Sequence, residues 1–565
     1  MKQASRQHSI FELVIIGLLI TIACWPAATF SVTGLLPLFH AVFLLTGYLL
    51  ARLIVGRQSK WIGKLIFAGA AVLLLADITA QHITGLHLNF FVISIMLQPG
   101  ISDELGISGV GAAAGIMLLV GISLYGAHAM QKPAFILRGR ILLVLGMSSA
   151  AIAQLLYGVL FFQGAAEVED TRRKLPFFTA PHPYYSGKVL GVFLDKNSDN
   201  PFAIATSSAI NTAPPAPSTS FMGTKKNVLM IVVDSLRSKD IALNPGLAPN
   251  LMSWAQKGTL SLNHYSVSNC TQFSFYSLFT GALPTGFGAA RRGNNTLGML
   301  PAFATNGYKI STAEANSLDW YDTAKIIFPS TTNRYISAEN GTFARDKDVT
   351  NNTVATLAGR LKNGDPFFHL TYYFGPHYPY DPSMNAVGEA NIDKYRQIIQ
   401  TVDTEIGNLL KWVERNNLLN NTIVIVTADH GEEFQTTGRT GHASRLSDEQ
   451  VQVPFLLIDQ TGGAPALPPA LGSHLDIAPY LLEKMTGATT YQPQAIALAN
   501  CGYDYPTELA LLTKVGRADF SHRGGYLTPI QGPNGEIAAK PLQLEAASQL
   551  LGSIKKGAAE EPLDQ

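Results

Sequence analysis

Three apolar runs in the second half of the chain are followed by polar residues whose side chains bind metal ions or transfer protons. In chain order these residues are Asp234, His377 and the adjacent pair Asp429-His430. Unbroken runs of β-branched and aromatic residues are typical of strands buried on both faces of a parallel sheet. Ligands of such sheets bind just beyond the carboxyl ends of the strands. We therefore expect these side chains to meet at one sheet edge and to bind one divalent metal ion, which would be zinc, manganese or magnesium.

A candidate nucleophile for this site is Thr271, which follows Ser268-Asn-Cys and begins an apolar helical run. At a helix N-terminus the free N–H groups and the helix dipole attract an anion. Threonine is a poor nucleophile unless a metal or a base lowers the pKa of its hydroxyl, so this prediction depends on the Asp/His cluster. The alternative is that Thr271 only caps the helix.

A further candidate histidine is His442, in the Gly/Thr-rich loop that comes after His430. In an active site it would bind a substrate oxyanion or protonate a leaving group. The alternative is a histidine exposed on a surface loop, which would take no part in chemistry.

The elements that must position these residues are strands that alternate with helices. The strand-like runs are 228–233, 367–373, 423–426 and 453–458, and helix-like stretches occupy 249–256, 272–279 and 393–416. Such an alternation predicts an α/β domain with a mostly parallel central sheet covered by helices. We place this domain at 226–540.

The first part of the chain is apolar enough to cross a membrane. Five segments are each near the roughly 20 residues that a bilayer-spanning helix needs, and they run over 10–30, 34–55, 62–82, 109–129 and 138–162. The loops 27–34 and 81–109 contain no Lys or Arg, whereas the other inter-segment loops carry several. The positive-inside rule therefore predicts a cytoplasmic N-terminus and an external C-terminal domain.

The remaining segments complete a predicted organisation of four parts. A five-helix transmembrane domain at 1–165 leads through a connector at 166–225, with a Pro/Ser/Thr-rich linker, to the α/β domain, and 541–565 is a tail. Asp77 lies near the outer end of the third span and is a functional candidate by its depth. The alternative is that Asp77 pairs with loop amides. The loop 84–98 is too short to span and is predicted to be interfacial or re-entrant.

Charge and cysteine content bear on two other features, a nucleic-acid partner and a disulfide. The formal net charge of +1 leaves no basic footprint, so we expect no nucleic-acid partner. The cysteines are Cys24, in an apolar segment, and Cys270 and Cys501, which are far apart in sequence. Two such cysteines make no disulfide framework, and we do not predict a disulfide, although an oxidising compartment would permit one.

The motifs resemble, in type and order, those of the alkaline phosphatase/sulfatase superfamily. The similarity covers about 226–485 and rests on Asp234 with Arg237, the Thr/Ser run from Thr271, Thr-Ala-Asp-His-Gly-Glu-Glu at 427–433 and the segment His474–Pro479. Cys270 is not followed by the Cys-x-Pro-x-Arg pattern of sulfatases proper. The threonine version resembles membrane-anchored phosphoethanolamine transferases and lipoteichoic acid synthases, in which five spans carry an external catalytic domain.

This resemblance implies a role for each candidate residue. One divalent metal ion would be held by Asp234, Thr271, Asp429 and His430. Thr271 would carry a covalent phosphoryl group, and His377 and His442 would hold the substrate.

A longer resemblance, over nearly the whole chain, is to the YejM/PbgA family of inner-membrane proteins. It rests on 77–103, the connector segment 183–193, Ser268-Asn-Cys-Thr and Gln452-Val-Pro. It implies binding of lipopolysaccharide or cardiolipin and restraint of lipid A synthesis through a cytoplasmic-side partner, LapB. The Asp-His pair is degraded in that family but intact here, and Gly187-Lys188 stands where the family has adjacent arginines.

These observations lead to one leading hypothesis and two alternatives. The leading hypothesis is a metal-dependent phosphoester transferase or hydrolase that acts on lipid head groups at the outer face of the inner membrane. The first alternative is a non-catalytic regulator that binds lipid A or cardiolipin and contacts a LapB-like partner. The second is a sulfuric ester hydrolase, against which the missing Cys-x-Pro-x-Arg pattern argues.

Overall fold

The computed structural model describes residues 2–28, 34–55, 60–84, 87–88, 139–162, 171–172, 174–178, 220–222 and, with gaps, 225–527. The chain divides into two compact units, 1–200 and 201–565. The predicted tail 541–565 and most of the predicted connector 166–225 lie outside the described residues.

The first unit is helical. Its long helices are α1 (Lys2–Cys24), α2 (Leu35–Val55), α3 (Lys60–Thr84) and α4 (Gly139–Phe162). Three stretches, at 35–54, 61–82 and 139–160, are long and apolar enough to cross a membrane, and 13–27 is a shorter apolar helical stretch. Three of the predicted spans are thus confirmed as apolar helices. The predicted span 109–129 lies outside the part of the chain that the structure describes.

Asp77 is fully buried in α3 and is paired with the loop that follows this helix. Its Oδ2 accepts a hydrogen bond of 2.7 Å from Nδ1 of His87, and its Oδ1 accepts one of 2.8 Å from the backbone N–H of Leu88. A buried carboxylate needs such partners, because an unpaired charge is expensive away from water. The interpretation of Asp77 as a residue that pairs with the loop therefore agrees with the structure.

The second unit contains a seven-stranded sheet, a four-stranded sheet and a two-stranded hairpin. Its strands are β1 (Asn227–Val233), β2 (Thr259–Tyr265), β3 (Lys309–Glu314), β4 (Asn333–Ile336), β5 (Phe367–Tyr373), β6 (Thr422–Ala428), β7 (Glu433–Phe434), β8 (Thr440–Gly441), β9 (Gln452–Ile458), β10 (Ile496–Ala499), β11 (Glu508–Thr513), β12 (Gly516–Ser521) and β13 (Tyr526–Leu527).

Helices of the second unit follow most of these strands. They are α5 (Ser238–Leu243), α6 (Pro249–Trp254), α7 (Thr271–Thr280), α8 (Phe287–Arg292), α9 (Leu300–Thr305), α10 (Thr323–Ile327), α11 (Thr342–Asn363), α12 (Asn391–Arg415), α13 (Asp448–Val451) and α14 (Ile477–Thr486). The helices predicted at 249–256, 272–279 and 393–416 are confirmed in α6, α7 and α12. Helix α7 ends at Gly281, whose φ of 67° suits a left-handed cap.

The large sheet has the strand order β2-β9-β6-β1-β5-β3-β4. The pairs β1–β6, β1–β5, β3–β5 and β3–β4 are parallel, whereas β9 pairs antiparallel with both β6 and β2. The connection from β6 to β9 runs over 429–451 and contains the β7–β8 hairpin and α13. The predicted mostly parallel sheet is confirmed, with antiparallel pairing at one side.

Strand β1 is buried on both faces, which explains why its sequence is continuously apolar. Val228, Met230 and Val232 pack into one hydrophobic core. Leu229, Ile231 and Val233 pack into a second core on the opposite face. All seven residues of the neighbouring β6 are buried as well, so the two strands hold their carboxyl ends rigidly side by side.

Candidate metal centre and active site

Asp234 and Asp429 follow adjacent parallel strands. Their backbone N–H groups extend the sheet pattern, since Asp234 donates to Tyr373 O at 2.8 Å and Asp429 donates to Val233 O at 3.3 Å. His430 comes next in the chain after Asp429. One ligand atom from each of Asp234, Asp429 and His430 lies within 4.8 Å of the other two, and all three residues are buried. The predicted cluster at the sheet edge therefore forms.

The imidazole of His430 is oriented by a backbone carbonyl. Its Nδ1 lies 3.0 Å from Gly431 O. A carbonyl oxygen only accepts hydrogen bonds, so Nδ1 carries the proton and Nε2 has a free lone pair. This Nε2 lies 3.8 Å from Asp234 Oδ1 and 3.6 Å from Asp429 Oδ2. The arrangement of a metal-binding histidine with its other nitrogen held by a carbonyl is thus present.

The two carboxylates differ in how their oxygens are satisfied. Asp234 accepts from Ser235 Oγ at 2.8 Å and from the hydroxyl of Tyr372. Oδ1 of Asp429 accepts from the backbone N–H groups of Ser235 and His430, at 3.1 Å and 2.8 Å. Oδ2 of Asp429 is buried and has no hydrogen-bond partner among the described residues. Buried polar atoms are nearly always paired, so this oxygen fits a bound cation.

The electrostatics of the cluster also fit a cation. Burial and the neighbouring charge of Asp234 raise the pKa of Asp429 well above its usual value. Burial acts to raise the pKa of Asp234 too, but electrostatic interactions with the neighbouring imidazoles, that of His377 first, and the hydrogen bond from Tyr372 outweigh it and lower that pKa. Burial and the charge of His442 lower the pKa of His430 to about 3. A divalent cation would stabilise both carboxylates in their charged form.

Thr271 is the first residue of α7, and its hydroxyl oxygen lies 3.3 Å from Nε2 of His430. The residue in the cap position is Cys270, whose backbone is extended and whose side chain makes no capping bond. The alternative interpretation of Thr271 as the helix cap is therefore wrong. Thr271 is partly exposed, whereas its neighbours Cys270 and Gln272 are buried.

His442 and His377 complete a row of imidazoles. The His442 ring centroid lies 4.3 Å from that of His430 and 5.2 Å from that of His377. Nδ1 of His442 lies 3.1 Å from Oε1 of the buried Glu432. Burial would lower the pKa of His442, but the Glu432 carboxylate outweighs it and raises the pKa to about 9. His442 is thus a partly buried, paired residue, and its interpretation as an exposed loop histidine is wrong.

The structure brings all six predicted site residues together, and it adds residues that the sequence analysis did not select. Tyr372 donates to Asp234, and Glu432 pairs with His442. Ser274 donates to the carbonyl of Asp429 and lies 3.1 Å from Nδ1 of His474. Glu432, Ser274 and His474 stand in the motifs that carry the resemblance but had no role assigned, and the signal for Tyr372 was its position near the end of β5.

Arg237, which contributed to the resemblance, does not join the ligand set. Its guanidinium is buried against Asp240 and donates to Glu449 Oε2 at 2.7 Å and to Glu432 O at 3.0 Å. It therefore supports the loop that carries Glu432 and acts away from the cation-binding atoms.

The expectation of no disulfide is corrected by the structure. Cys270 and Cys501 form a disulfide with a Cα–Cα distance of 5.7 Å, although 231 residues separate them in sequence. A parallel bridge between Ser268 and Ala499 brings the two segments together. Distance in sequence did not predict this pairing because the contact is made by the fold. Cys24 is a free, buried cysteine.

Comparison with known proteins finds one family and several relatives that are similar to part of this chain. The model of the Sulfatase family matches residues 226–488. An uncharacterised protein of Haemophilus influenzae is 24% identical over 235 residues, which are 41% of this chain and 36% of that protein. The inner membrane protein YejM of Salmonella typhi is 22% identical over 274 residues, 48% of this chain and 43% of that protein. These matches thus span less than half the length of the curated relatives.

A solved structure from the alkaline phosphatase superfamily, from Vibrio parahaemolyticus, is also similar. It aligns with a TM-score of 0.47 and 15% identity, over 65% of this chain and 98% of that chain. Residues 226–488 are therefore similar to the Sulfatase family, and about half of the chain is similar to the inner membrane protein YejM.

Proposed function

We propose that this protein is a membrane-anchored transferase or hydrolase that acts on phosphoesters of lipid head groups, with Thr271 as its nucleophile. The observation that carries the proposal is the contact between the Thr271 hydroxyl and His430 Nε2, beside two buried carboxylates. A structural threonine at a helix start has no need of such neighbours. A nucleophilic threonine needs them, because its hydroxyl is unreactive at its usual pKa.

Asp234, Asp429 and His430 would hold one divalent metal ion, with the Thr271 oxygen as a further ligand. Such an ion, when bound, would lower the pKa of the Thr271 hydroxyl and polarise the phosphoryl oxygens. One imidazole nitrogen with carboxylate and hydroxyl oxygens suits zinc, manganese or magnesium.

The other residues of the site would act on the substrate. The Thr271 hydroxyl releases its proton to solvent, and its oxygen forms a bond to phosphorus while the ester bond to the leaving alcohol breaks. His442, which Glu432 keeps protonated, donates a proton to the leaving oxygen. His377, whose Nδ1 donates to Tyr378 O at 2.6 Å, presents its other nitrogen to the phosphoryl group. An acceptor hydroxyl or water then gives its proton to His442 and attacks the phosphothreonine, and the Thr271 oxygen is released and takes a proton from solvent.

The membrane part of the proposal is a multi-pass anchor of five spans with a cytoplasmic N-terminus and a periplasmic catalytic domain. The loop charges support this orientation. The Cys270–Cys501 disulfide supports it independently, because structural disulfides persist in oxidising compartments such as the periplasm. A tether to the membrane would confine the enzyme and its phospholipid or lipid A substrate to one surface and raise their effective concentration.

The proposal is tested by intact-mass analysis of the purified, metal-loaded protein. The protein is incubated with labelled phosphatidylethanolamine and, separately, with labelled phosphatidylglycerol, and the mass of an adduct on Thr271 is sought. We expect an adduct in the wild type and none in Thr271→Ala. The transferase proposal is abandoned if the wild type, with metal bound, shows neither adduct nor turnover.

A second candidate function is suggested by the similarity to YejM over about half of the chain. In this case the domain would bind lipid A or cardiolipin without turnover and would act on a LapB-like partner at the cytoplasmic side. The experiment above separates the two, since binding of labelled lipid without adduct or turnover supports the regulator. A sulfuric ester hydrolase of the cysteine type is disfavoured, because Cys270 is engaged with Cys501.

A further inference from the structure

We propose that Asn269 and the Cys270–Cys501 disulfide form one clamp that positions Thr271 for reaction. Asn269 is then a positioning residue of the active site: it acts through Thr271 and does not touch the substrate. This inference rests on the function proposed above. It extends that function to the segment 499–501, which begins at the last residue of β10 and contains none of the predicted site residues.

The side chain of Asn269 is fully buried and uses both ends of its amide. Its Oδ1 accepts from the backbone N–H of Cys501 at 2.8 Å. Its Nδ2 has three acceptors within 2.9 Å, which are Asn500 Oδ1, Gln450 Oε1 and Arg445 O. An amide nitrogen has only two hydrogens, so two of these three acceptors share one hydrogen. Every polar atom of this side chain is therefore committed to holding segments together.

These contacts reach the other two parts of the active site. The backbone carbonyl of Asn269 accepts from Ala443 N at 2.9 Å, directly after His442. The carbonyl of Gln450, a partner of the Asn269 amide, accepts from Gly431 N at 2.9 Å, directly after His430. Asn269 thus links the segment of the candidate nucleophile to the segments of the candidate metal ligand and the candidate proton donor.

The two residues before Asn269 also bind the segment 499–501. Ser268 Oγ donates to Ala499 O at 2.8 Å, and Ala499 N donates to Val267 O at 2.7 Å. The disulfide then joins Cys270 to Cys501. Hydrogen bonds and the disulfide therefore join residues 267–270 to residues 499–501, up to the residue before Thr271.

The clamp has a physical reason. Cys270 makes no side-chain bond that caps α7, so the helix start is not oriented by its own cap. The position of the Thr271 hydroxyl relative to His430 is then set by the segment that precedes it. Misplacement of a reacting group by about 1 Å can reduce a rate by about 100-fold.

The test compares Asn269→Ala, Cys501→Ser and the double variant in the metal-loaded, full-length protein, with adduct formation from labelled phosphatidylethanolamine as the readout. For each single variant we expect kcat to fall at least tenfold while KM and metal content stay unchanged. The double variant should be no slower than about the worse single variant, because both substitutions open the same clamp.

The matched control is Asn306→Ala. Asn306 also uses both ends of its amide, since it accepts from Phe221 N and donates to Ala302 O, at 2.8 Å and 2.9 Å. It lies at the end of α9, away from the site, so its removal should lower the melting temperature and leave kcat unchanged. The clamp is overturned if Asn269→Ala reduces kcat no more than Asn306→Ala does.

A second readout does not depend on the proposed reaction. The rate at which dithiothreitol reduces Cys270–Cys501 reports local opening of the clamp. We expect Asn269→Ala to accelerate reduction at least fivefold and Asn306→Ala to leave it unchanged. If the wild type forms no adduct, the proposed function fails, and this rate decides the clamp: equal rates in the wild type and Asn269→Ala overturn it.

Discussion

The hydroxyl oxygen of Thr271 lies 3.3 Å from Nε2 of His430. Because Nδ1 of His430 donates to Gly431 O, its Nε2 is an acceptor, and the Thr271 hydroxyl is the donor in this contact. The start of α7 and the end of β6 are therefore joined through the two side chains that the proposed chemistry requires.

Replacement of Thr271 by serine or alanine separates a chemical role from a structural one. Thr271→Ser keeps a hydroxyl at this position, so adduct formation should persist. Thr271→Ala removes the hydroxyl and should abolish the adduct, while the melting temperature of the protein changes little because Thr271 is partly exposed. Intact-mass analysis checks the adduct. An adduct on Thr271→Ala would exclude Thr271 as the nucleophile.

Asp429→Asn should have opposite effects on the metal-free and the metal-bound protein. Burial beside Asp234 disfavours a second charge, so loss of the Asp429 charge should leave the metal-free protein as stable as the wild type or more stable. The stabilisation by metal should disappear. In the wild type it amounts to about 2.7 kcal/mol at a metal concentration of about 100 Kd.

Thermal unfolding with and without added zinc or manganese measures both effects. The matched control is Asp403→Asn, which removes another buried carboxylate, one that accepts from the backbone N–H groups of Asn250 and Leu251. It should lose stability but keep the full metal-dependent shift. A metal-dependent shift of wild-type size in Asp429→Asn would show that Asp429 is not a ligand.

Asp346 should make stability depend on pH. Its carboxylate is buried and accepts from Phe374 N at 2.8 Å and Gly375 N at 2.9 Å, in the turn that leads to His377. Burial, with a smaller contribution from Glu405, outweighs these two bonds and raises the pKa of Asp346 from 3.8 to about 7.

The sign of this dependence follows from the direction of the shift. Because the folded-state pKa lies above the unfolded value, the folded protein binds the proton more tightly between about pH 4 and pH 7. The Asp346 contribution is complete below this window and is lost as the pH rises through it. The free energy of unfolding of the wild type, measured relative to that of Asp346→Asn, should therefore decrease as the pH rises from about 4 to about 7. Parallel pH profiles of the two proteins would contradict this.

Gly431→Ala should disrupt the metal centre through backbone crowding. A Cβ at Gly431 would lie 2.1 Å from Glu449 O and 2.9 Å from Arg237 Cβ. Neither neighbour can move freely, so the backbone beside His430 must shift, with a loss of stability of about 1–3 kcal/mol. Calorimetry should also show weaker metal binding.

The control for this change is Gly359→Ala on α11, where a Cβ meets nothing within 4 Å. It should stabilise the protein by about 0.5–1 kcal/mol, since alanine suits a helix interior better than glycine. Unchanged metal affinity in Gly431→Ala would indicate that the backbone of Gly431 does not position His430 for metal binding.

The site could be predicted from the sequence to the extent that it lies at strand ends. Asp234 and Asp429 come directly after β-branched runs, and adjacent parallel strands end at one edge. The partners Tyr372 and Glu432 could not be selected, because their roles depend on which way each side chain points across the site. The pairing of Cys270 with Cys501 was missed for a related reason, since it depends on a bridge between distant segments.

The sequence by itself determined the elements: apolar membrane helices, buried parallel strands and the polar residues at their ends. This is possible because hydrophobic periodicity and strand composition are local properties. Only the tertiary structure decided that Oδ2 of Asp429 is buried without a partner in the described part of the chain, that Thr271 starts α7 without capping it, and that Cys501 holds the segment before it. These are relationships between residues tens to hundreds of positions apart, and they exist only once the strands and helices have packed.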